Sequence, residues 1–398
     1  MNNQTYLLSN EQKIEILDDI LMVNGKVYTE RAKEAGEEVN VEYRLSDKTE
    51  EEIIAKALEL TRTFYKKRLE KLLPAEQLFA LTGAGSSIGF GGKSMAGLWD
   101  EIDVVKSFEA YVDEIGIEQA LFDRKDLESI LSRAKLYLAF KPNDTLEKLI
   151  EGIEETIKNL CNFKLEDTST HLEFIKQLTS RKSKQGRLKV FTTNYDTVFE
   201  QTASEGSYVV IDGFSFTQPR RFNGKYFDYD IVIRENSRIA ADENFASNVF
   251  HLYKLHGSVN WETRGEEILQ VENPAKAMMI YPNNNKYESS YEQPYFEMMG
   301  RLQSELRKKG TTTLIVIGFS FADKHIFTMI KEALNYNASL NLMIIEPFIN
   351  SITNENFTYL HAYAQKSSQV TIVGEFFKEF VLQLPKNGYF GSHEVANG

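Results

Sequence analysis

The sequence predicts an α/β fold, a doubly wound parallel sheet with an inserted helical module. Short apolar runs recur along the chain, and they have the composition of strands buried on both faces of a parallel sheet. Segments with helical spacing lie between several of these runs, which is the alternation expected of a doubly wound sheet. The region from about residue 100 to 186 has helical spacing and few strand formers, which indicates the inserted module.

The first 74 residues are predicted to comprise a polar segment and an amphipathic helix. Residues 1 to about 50 are polar and irregular in pattern, and 31–40 is charged and weakly apolar. We expect that part to be partly mobile or to fold only against a partner. Apolar residues from Thr49 to Leu73 fall near one helical face, and Pro74 follows. This helix is expected to pack on the core, with an oligomer contact as the alternative.

Residues 75–350 are predicted to form one large domain, followed by a strand, a helix and a tail in 351–398. The apolar runs interpreted as strands are Leu78–Leu81, Leu188–Phe191, Tyr208–Ile211, Val249–Leu255, Met278–Tyr281, Leu314–Ile317, Leu342–Ile345 and Val370–Val373. The helices expected in the module span residues 108–122, 126–140, 144–163 and 169–178. Residues 213–248 are rich in aromatic and polar residues, and they are expected to form a small subdomain or a long loop.

Composition excludes several classes of protein. The 42% hydrophobic and 26% charged residues are ordinary for a soluble globular protein, and no apolar run reaches the ~18 residues of a membrane span. No secretory signal is visible, so a cytoplasmic protein is expected. The single cysteine, Cys161, excludes a disulfide framework and a four-cysteine zinc site. The net charge of −12 argues against strong nucleic-acid binding, although Arg220-Arg221 or Arg307–Lys309 could form a small basic patch.

A glycine-rich loop, Thr82–Ser87, follows the first predicted strand. Gly83 and Gly85 allow a tight turn and a close approach of the backbone to a ligand, and exposed N–H groups in such a turn attract a phosphate. Ala84 lies between them, and the hydroxyl groups of Ser86 and Ser87 add donors. The spacing differs from the usual Rossmann dinucleotide-binding fingerprint, so the loop alone is weak evidence.

Two further motifs follow predicted strands. Thr192–Asp196 supplies hydrogen-bonding side chains, those of Thr193, Asn194 and Asp196 among them, at the strand end where open α/β sheets bind ligands. A helix cap by Asn194 or Asp196 is the alternative. His256, in Leu255–Ser258, could accept a proton from a hydroxyl group or a water near neutral pH.

Several other residues have two possible roles each, one structural and one in ligand binding. The remaining histidines, at 171, 251, 325, 361 and 393, are interpreted as surface or packing residues, and Trp261 either walls a pocket or packs in the core. Gly318 and Ser320 suit a phosphate or ribose contact, whereas Asp323 is expected to cap the next helix. Glu346 either binds ribose hydroxyl groups or is a solvated loop carboxylate.

Together these motifs resemble the sirtuin family. Gly83–Ser87, Thr192–Asp196 and His256-Gly257 match, in order, that family's glycine loop, Thr-x-Asn-x-Asp strand end and His-Gly pair around NAD. Gly318 and Ser320 match its later ribose and phosphate contact. The resemblance implies that Asn194 and Asp196 hold the nicotinamide ribose and carboxamide, and that His256 is the catalytic base.

The sequence departs from the sirtuin pattern in three ways. The four-cysteine zinc ribbon usual in lysine-deacylating sirtuins is missing, and so is the family's Pro-Asp-Phe-Arg after the glycine loop. A helical module with Asp126–Leu131 is added. This pattern is similar to sirtuin-like effectors of bacterial anti-phage defence, which hydrolyse NAD to nicotinamide and ADP-ribose without zinc. No separate sensor domain is visible, so the resemblance implies activation by self-assembly into a homo-oligomer or by a partner such as a HerA-type ATPase. An NAD-dependent protein deacylase and a non-catalytic module that binds NAD or ADP-ribose are the alternative functions.

Overall fold

The computed structural model describes residues 3–34, 37–182, 185–233, 245–279 and 293–386. The strands are β1 (Gln4–Leu8), β2 (Lys13–Leu17), β3 (Ile20–Val23), β4 (Lys26–Val27), β5 (Thr29–Glu34), β6 (Glu37–Glu42), β7 (Gln77–Thr82), β8 (Lys189–Thr192), β9 (Val209–Ile211), β10 (Arg220–Arg221), β11 (Val249–Lys254), β12 (Gly257–Ser258), β13 (Trp261–Arg264), β14 (Glu267–Gln270), β15 (Met278–Met279), β16 (Thr312–Ile317), β17 (Leu340–Ile345) and β18 (Val370–Val373). The α-helices are α1 (Glu50–Leu72), α2 (Met95–Ile102), α3 (Val104–Phe108), α4 (Val112–Ile115), α5 (Gln119–Asp123), α6 (Leu127–Phe140), α7 (Asp144–Cys161), α8 (Ser169–Thr179), α9 (Val198–Glu205), α10 (Tyr295–Leu306), α11 (Lys324–Tyr336), α12 (Glu355–Ala364) and α13 (Phe377–Leu382).

The chain divides into two compact units. The terminal unit comprises Met1–Ala80, Glu173–Gly186 and Leu306–Gly398, and the central unit comprises Leu81–Leu172 and Arg187–Glu305. Strand β7 begins in the terminal unit and ends in the central unit. These units do not follow the divisions expected from sequence at residues 74 and 350, which remain a prediction.

Parallel strands form the core of the terminal unit. β17 pairs in parallel with β16 on one side and with β18 on the other, with Ile344 opposite both Val316 and Ile372. Every residue of β16 and of β18 is buried, as parallel strands covered on both faces require. Helices α11 and α12 connect these strands in sequence. The apolar runs Leu314–Ile317, Leu342–Ile345 and Val370–Val373 are confirmed as strands.

The expectation of an irregular N-terminal segment is wrong. Strand β1 pairs antiparallel with β18, and β2, β3 and β4 extend the sheet in order beyond it. Residues 29–34 and 37–42 pair with each other as the hairpin β5–β6, so the segment predicted to be mobile or partner-dependent contains strands. β1 pairs with β2 on one side and with β18, far along the chain, on the other, so nearby residues alone do not set its place in the sheet.

Helix α1 confirms the amphipathic helix predicted from Thr49 to Leu73. The Thr49 side chain accepts a hydrogen bond from the Glu52 backbone N–H, and the Glu52 carboxylate accepts one from the Thr49 N–H, which completes a capping box. Its apolar face is buried within the terminal unit. Arg62 and Tyr65 also donate to the buried carboxylate of Glu375, which follows β18. These contacts agree with the core-packing interpretation of the helix.

The central unit contains a second set of parallel strands and the helical module. β11 pairs in parallel with β8 and with β9, and its residues are all buried. Residues predicted as one helix over 108–122 form separate short helices, because Gly116 has a left-handed φ of +71° after α4. Helices α6 and α7 match the predicted spans closely. The parallel strands and intervening helices of both units confirm the predicted α/β, Rossmann-like class.

The aromatic region after β9 is partly a small sheet. β10, β14 and β13 form three antiparallel strands, and Trp261 on β13 packs against Phe214 and Phe222 with 1% of its surface exposed. Trp261 is therefore a core residue, which is one of the two roles that the sequence predicted for it. Residues 234–244, within the predicted 213–248 segment, lie outside the described residues, as do Ile280 and Tyr281 of the predicted strand Met278–Tyr281.

Candidate functional site

Three predicted motifs start from adjacent strand ends in the central unit. The Thr193 N–H donates to the Thr82 carbonyl at 3.0 Å, which joins the ends of β7 and β8. The Leu255 N–H donates to the Thr192 carbonyl at 2.8 Å, which joins the ends of β8 and β11. Because these strand ends are neighbours, the glycine loop, the Asn194 segment and the His256 turn leave the sheet side by side.

The glycine loop is a tight turn closed by its own hydrogen bonds. The Ser86 N–H and hydroxyl group both donate to the Gly83 carbonyl, at 3.0 and 2.8 Å, and the Ser87 N–H donates to the Ala84 carbonyl at 2.9 Å. Ser86 and Ser87 are buried. Within the described residues, the N–H groups of Ala84 and Gly85 donate to no protein group. The loop thus presents two free donors from its first turn, and the Ser86 hydroxyl group is not one of them.

Asn194 joins the strand end to the glycine loop. Its Nδ2 donates to the Gly83 carbonyl at 3.0 Å, to Ser86 Oγ at 3.3 Å and to Ser87 Oγ at 3.0 Å. Its Oδ1 accepts no hydrogen bond in the described part of the chain, and the side chain is half-buried. Asn194 therefore stabilises the loop with its donors and presents an acceptor for a ligand. The neighbouring Thr193 hydroxyl group lies 3.5 Å from the Thr82 carbonyl oxygen, too far for a strong bond.

Asp196 contacts the glycine loop through Ser87. Its Oδ1 accepts from the Val198 N–H at 3.1 Å at the start of α9, and its carboxylate also accepts from the Ser87 hydroxyl group. Burial raises the pKa of this carboxyl group above its ordinary 3.8, while the Lys254 ammonium group acts in the opposite direction. The N-cap residue of α9 is Thr197, so Asp196 binds the first N–H of the helix from the position before the cap, and it also contacts Ser87 directly.

His256 is buried in the turn between β11 and β12, with 5% of its surface exposed. Both flanks of this turn bind the Tyr195 carbonyl, which accepts from Lys254 Nζ at 3.3 Å and from the Val259 N–H at 3.0 Å. Gly257 has a φ of +87°, and a Cβ there would lie 2.2 Å from the Met278 carbonyl oxygen. The glycine after His256 is therefore required by the backbone.

Three predicted binding residues lie in the terminal unit. Gly318 follows β16 with a φ of +56°, and its N–H donates to the Ile345 carbonyl at 3.3 Å. Ser320 is exposed. Glu346 follows β17, where its Oε1 accepts from the Phe348 N–H at 3.0 Å and burial raises the pKa of its carboxyl group. Asp323 accepts from two N–H groups of α11, which confirms it as the cap of that helix.

Sequence reasoning missed two buried basic residues beside the central motifs. His171 Nε2 lies 2.8 Å from the Ser86 carbonyl oxygen, and the imidazole is fully buried. Lys254, 2% exposed, donates to the carbonyls of Tyr195 and Asp196 and pairs with Glu200 at 3.1 Å. A lysine inside the predicted buried strand Val249–Leu255 was the available signal, whereas α8 offers none for His171.

The basic pairs considered from sequence are engaged in ion pairs. Arg220 contacts Asp212 at 2.7 Å, and Arg221 contacts Glu267 at 2.9 Å. Arg307 contacts Glu332 at 2.7 Å. These arginines are thus partly neutralised by acidic neighbours within their own units.

The described residues contain neither a cluster of potential metal ligands nor a helix suited to crossing a membrane. No group of three or more His, Cys, Asp or Glu side chains in that part of the chain is arranged to hold a metal ion. None of the helices described is both long and apolar enough to cross a membrane. The expected lack of zinc remains a prediction.

A comparison with known protein families finds a match over the part of the chain that carries several of these motifs. Residues 188–364 match the family model described as a SIR2-like domain. No curated protein matches the chain. Among solved structures, a Sir2 homologue bound to NAD is 15% identical and has a TM-score of 0.41, the match covering 80% of this chain and 91% of that one. A Sir2 homologue variant bound to ADP-ribose is also 15% identical, with 80% and 95% coverage and a TM-score of 0.37.

Residues 188–364 are therefore similar to a SIR2-like domain. This range includes Asn194, Asp196, His256 and the terminal-unit residues Gly318 and Glu346. The glycine loop and the whole helical module precede it.

Proposed function

We propose that the protein is an NAD glycohydrolase, which cleaves NAD to nicotinamide and ADP-ribose. The observation that carries the proposal is the meeting of Asn194 and Asp196 on Ser87 of the glycine loop, beside the turn that holds His256. The match of residues 188–364 to a SIR2-like domain supports a substrate of this class. The three predicted catalytic residues, Asn194, His256 and Asp196, would then each supply a different functional group to the reaction.

The reaction breaks the bond between C1′ of the ribose and the nicotinamide nitrogen. The bonding electron pair leaves with nicotinamide, which becomes neutral, and a water oxygen forms the new bond to C1′. Asn194 Oδ1 would accept a hydrogen bond from a ribose hydroxyl group or from that water. His256 would take the proton that the water loses, a role that contributes about 10²–10⁴-fold in other enzymes. Asp196 would accept from the carboxamide N–H and so orient the nicotinamide ring.

The remaining predicted residues would bind the rest of the dinucleotide. The Ala84 and Gly85 N–H groups suit a phosphate, and Gly83 permits the approach. Ser87 would act by orienting Asn194 and Asp196, and Thr193 by fixing the loop at Thr82. In the terminal unit, Gly318, Ser320 and Glu346 are proposed to contact phosphate and ribose groups.

The biological role is a further part of the proposal and rests on the resemblance of the motifs. We infer a cytoplasmic, zinc-free effector of anti-phage defence that depletes NAD. The trigger would be assembly into a homo-oligomer or contact with a defence partner, a HerA-type ATPase first among the candidates.

The test is nicotinamide release from NAD by the purified chain, measured alone, with an acetylated peptide, and with the product of the neighbouring gene. The matched variants are His256→Ala and His325→Ala, since His325 is exposed in the terminal unit. Release abolished only by His256→Ala supports the glycohydrolase. Release that requires the peptide identifies a deacylase instead, and binding of NAD without release under any condition identifies a non-catalytic module.

A further inference from the structure

A buried histidine contacts the glycine loop at Ser86 and the turn after that loop at Phe90. His171 of α8 is fully buried, and its Nε2 lies 2.8 Å from the Ser86 carbonyl oxygen. Its ring packs edge-to-face against Phe90, three residues after that loop, with centroids 4.7 Å apart. Phe199 of α9 packs against it edge-to-face at 6.0 Å. The imidazole therefore contacts two aromatic rings and, through Nε2, the Ser86 carbonyl.

The direction of this hydrogen bond follows from the chemistry of its partner. A carbonyl oxygen only accepts, so Nε2 must carry the proton and donate it. Burial lowers the pKa of His171 to about 4, so the imidazole is neutral near pH 7. A neutral ring with its proton on Nε2 is the form that this contact needs.

The carbonyl that His171 holds belongs to the peptide between Ser86 and Ser87. Rotation of that peptide would move the Ser87 side chain, whose hydroxyl group accepts from Asn194 Nδ2 at 3.0 Å and donates to Asp196. Gly92 lies against the same residue, since a Cβ there would come within 2.6 Å of the Ser87 Cβ. The loop is thus packed closely around Ser87, and His171 binds its backbone from the side of α8.

We propose that His171 is a positioning residue, which fixes the Ser86–Ser87 peptide so that Ser87 holds Asn194 and Asp196 in their working orientation. The inference rests on the proposed function for its effect on catalysis, and on geometry alone for its effect on the loop. His171 itself need not touch the substrate.

The test compares His171→Gln, which keeps an N–H donor near the position of Nε2, with His171→Phe, which keeps a flat ring and has no donor. His325→Phe is the control for the substitution itself, since His325 is exposed. The readouts are kcat and KM for nicotinamide release, and amide hydrogen exchange of residues 83–92 without ligand. His171→Phe is expected to lower kcat about tenfold, the effect of one buried hydrogen bond, and to speed exchange in the loop. His171→Gln is expected to restore most of both.

Equal kcat and equal loop exchange in His171→Phe and the unaltered protein would overturn the proposal. Equal losses in His171→Gln and His171→Phe would also overturn it, because they would assign His171 a packing role only. If the unaltered protein releases no nicotinamide, the proposed function fails, and loop exchange alone decides: faster exchange in His171→Phe than in His171→Gln supports the positioning role, and identical exchange refutes it. If His171→Phe does not fold, His171→Asn, whose shorter side chain cannot reach the carbonyl, takes its place.

Discussion

Replacing Asn194 with alanine removes the amide that ties the β8 strand end to the glycine loop. Two N–H groups of Nδ2 serve three acceptors at 3.0, 3.3 and 3.0 Å, so about two hydrogen bonds are lost. At about 1 kcal/mol each, the free energy of unfolding should fall by about 2 kcal/mol. For a unit of this size the melting temperature should fall by roughly 4–8 °C, so the protein should stay folded at 25 °C.

The expected loss of function is larger than the loss of stability. Asn194 Oδ1 is the acceptor offered to the ribose or the water, so nicotinamide release should fall by about 10² or more. The assays are thermal unfolding by circular dichroism and nicotinamide release at 25 °C. Asn248→Ala is the control, because Asn248 also donates through Nδ2 to a carbonyl but precedes the opposite, amino end of β11.

A double-mutant cycle tests the geometry directly. If Asn194 Nδ2 donates to Ser87 Oγ, the stability losses of Asn194→Ala and Ser87→Ala should be non-additive by about 1 kcal/mol. Strictly additive losses, or an Asn194→Ala variant with the melting temperature and activity of the unaltered protein, would refute this account of Asn194.

Three other substitutions test neighbouring parts of the central unit. His256→Ala should lower nicotinamide release by about 10²–10⁴-fold while the protein stays folded at 25 °C, and retained activity would exclude it as the base. Gly257→Ala should prevent normal folding or lower the melting temperature strongly, since its Cβ would lie 2.2 Å from the Met278 carbonyl oxygen at a φ of +87°; an unchanged melting curve would contradict that geometry. Asp196→Asn should lower activity yet raise stability at neutral pH. Burial raises the pKa of Asp196 above 3.8, so the folded state binds a proton there more tightly than the unfolded chain does, and stability is lost as pH rises through that raised pKa. The stabilising effect of Asp196→Asn should therefore shrink below about pH 4, and a difference that stayed constant with pH would refute the assignment.

Several buried strands could be predicted from the sequence because they are covered on both faces. Val370–Val373 was predicted with its exact bounds, and Val249–Leu255 and Leu314–Ile317 to within two residues at each end. Burial on both faces forces a continuous apolar run, which few other elements show at that length. The polar residues that follow such runs could then be assigned to strand ends without knowledge of the sheet order.

The N-terminal strands show the opposite case. β2 has the sequence Lys-Ile-Glu-Ile-Leu, in which charged and apolar residues alternate, and its Glu15 is nonetheless buried. Its neighbour β1 pairs with β18, more than 360 residues away in the chain. No local window contains that partner, so the segment was interpreted as irregular.

From its sequence alone, this protein could be assigned its α/β class, its main strands, and the polar groups that follow them, Asn194, Asp196 and His256 among them. Those features depend on neighbours in the chain, through strand burial and through the glycines that permit turns. The tertiary structure decided which groups are occupied and which remain free: the Ser86 hydroxyl group is used within the loop, Asn194 keeps only Oδ1 for a ligand, and His171 holds the loop from a distant helix. Hydrogen bonds between residues about 85 to 110 positions apart leave no periodic trace in a sequence, because any polar side chain brought to that point by the fold could make them.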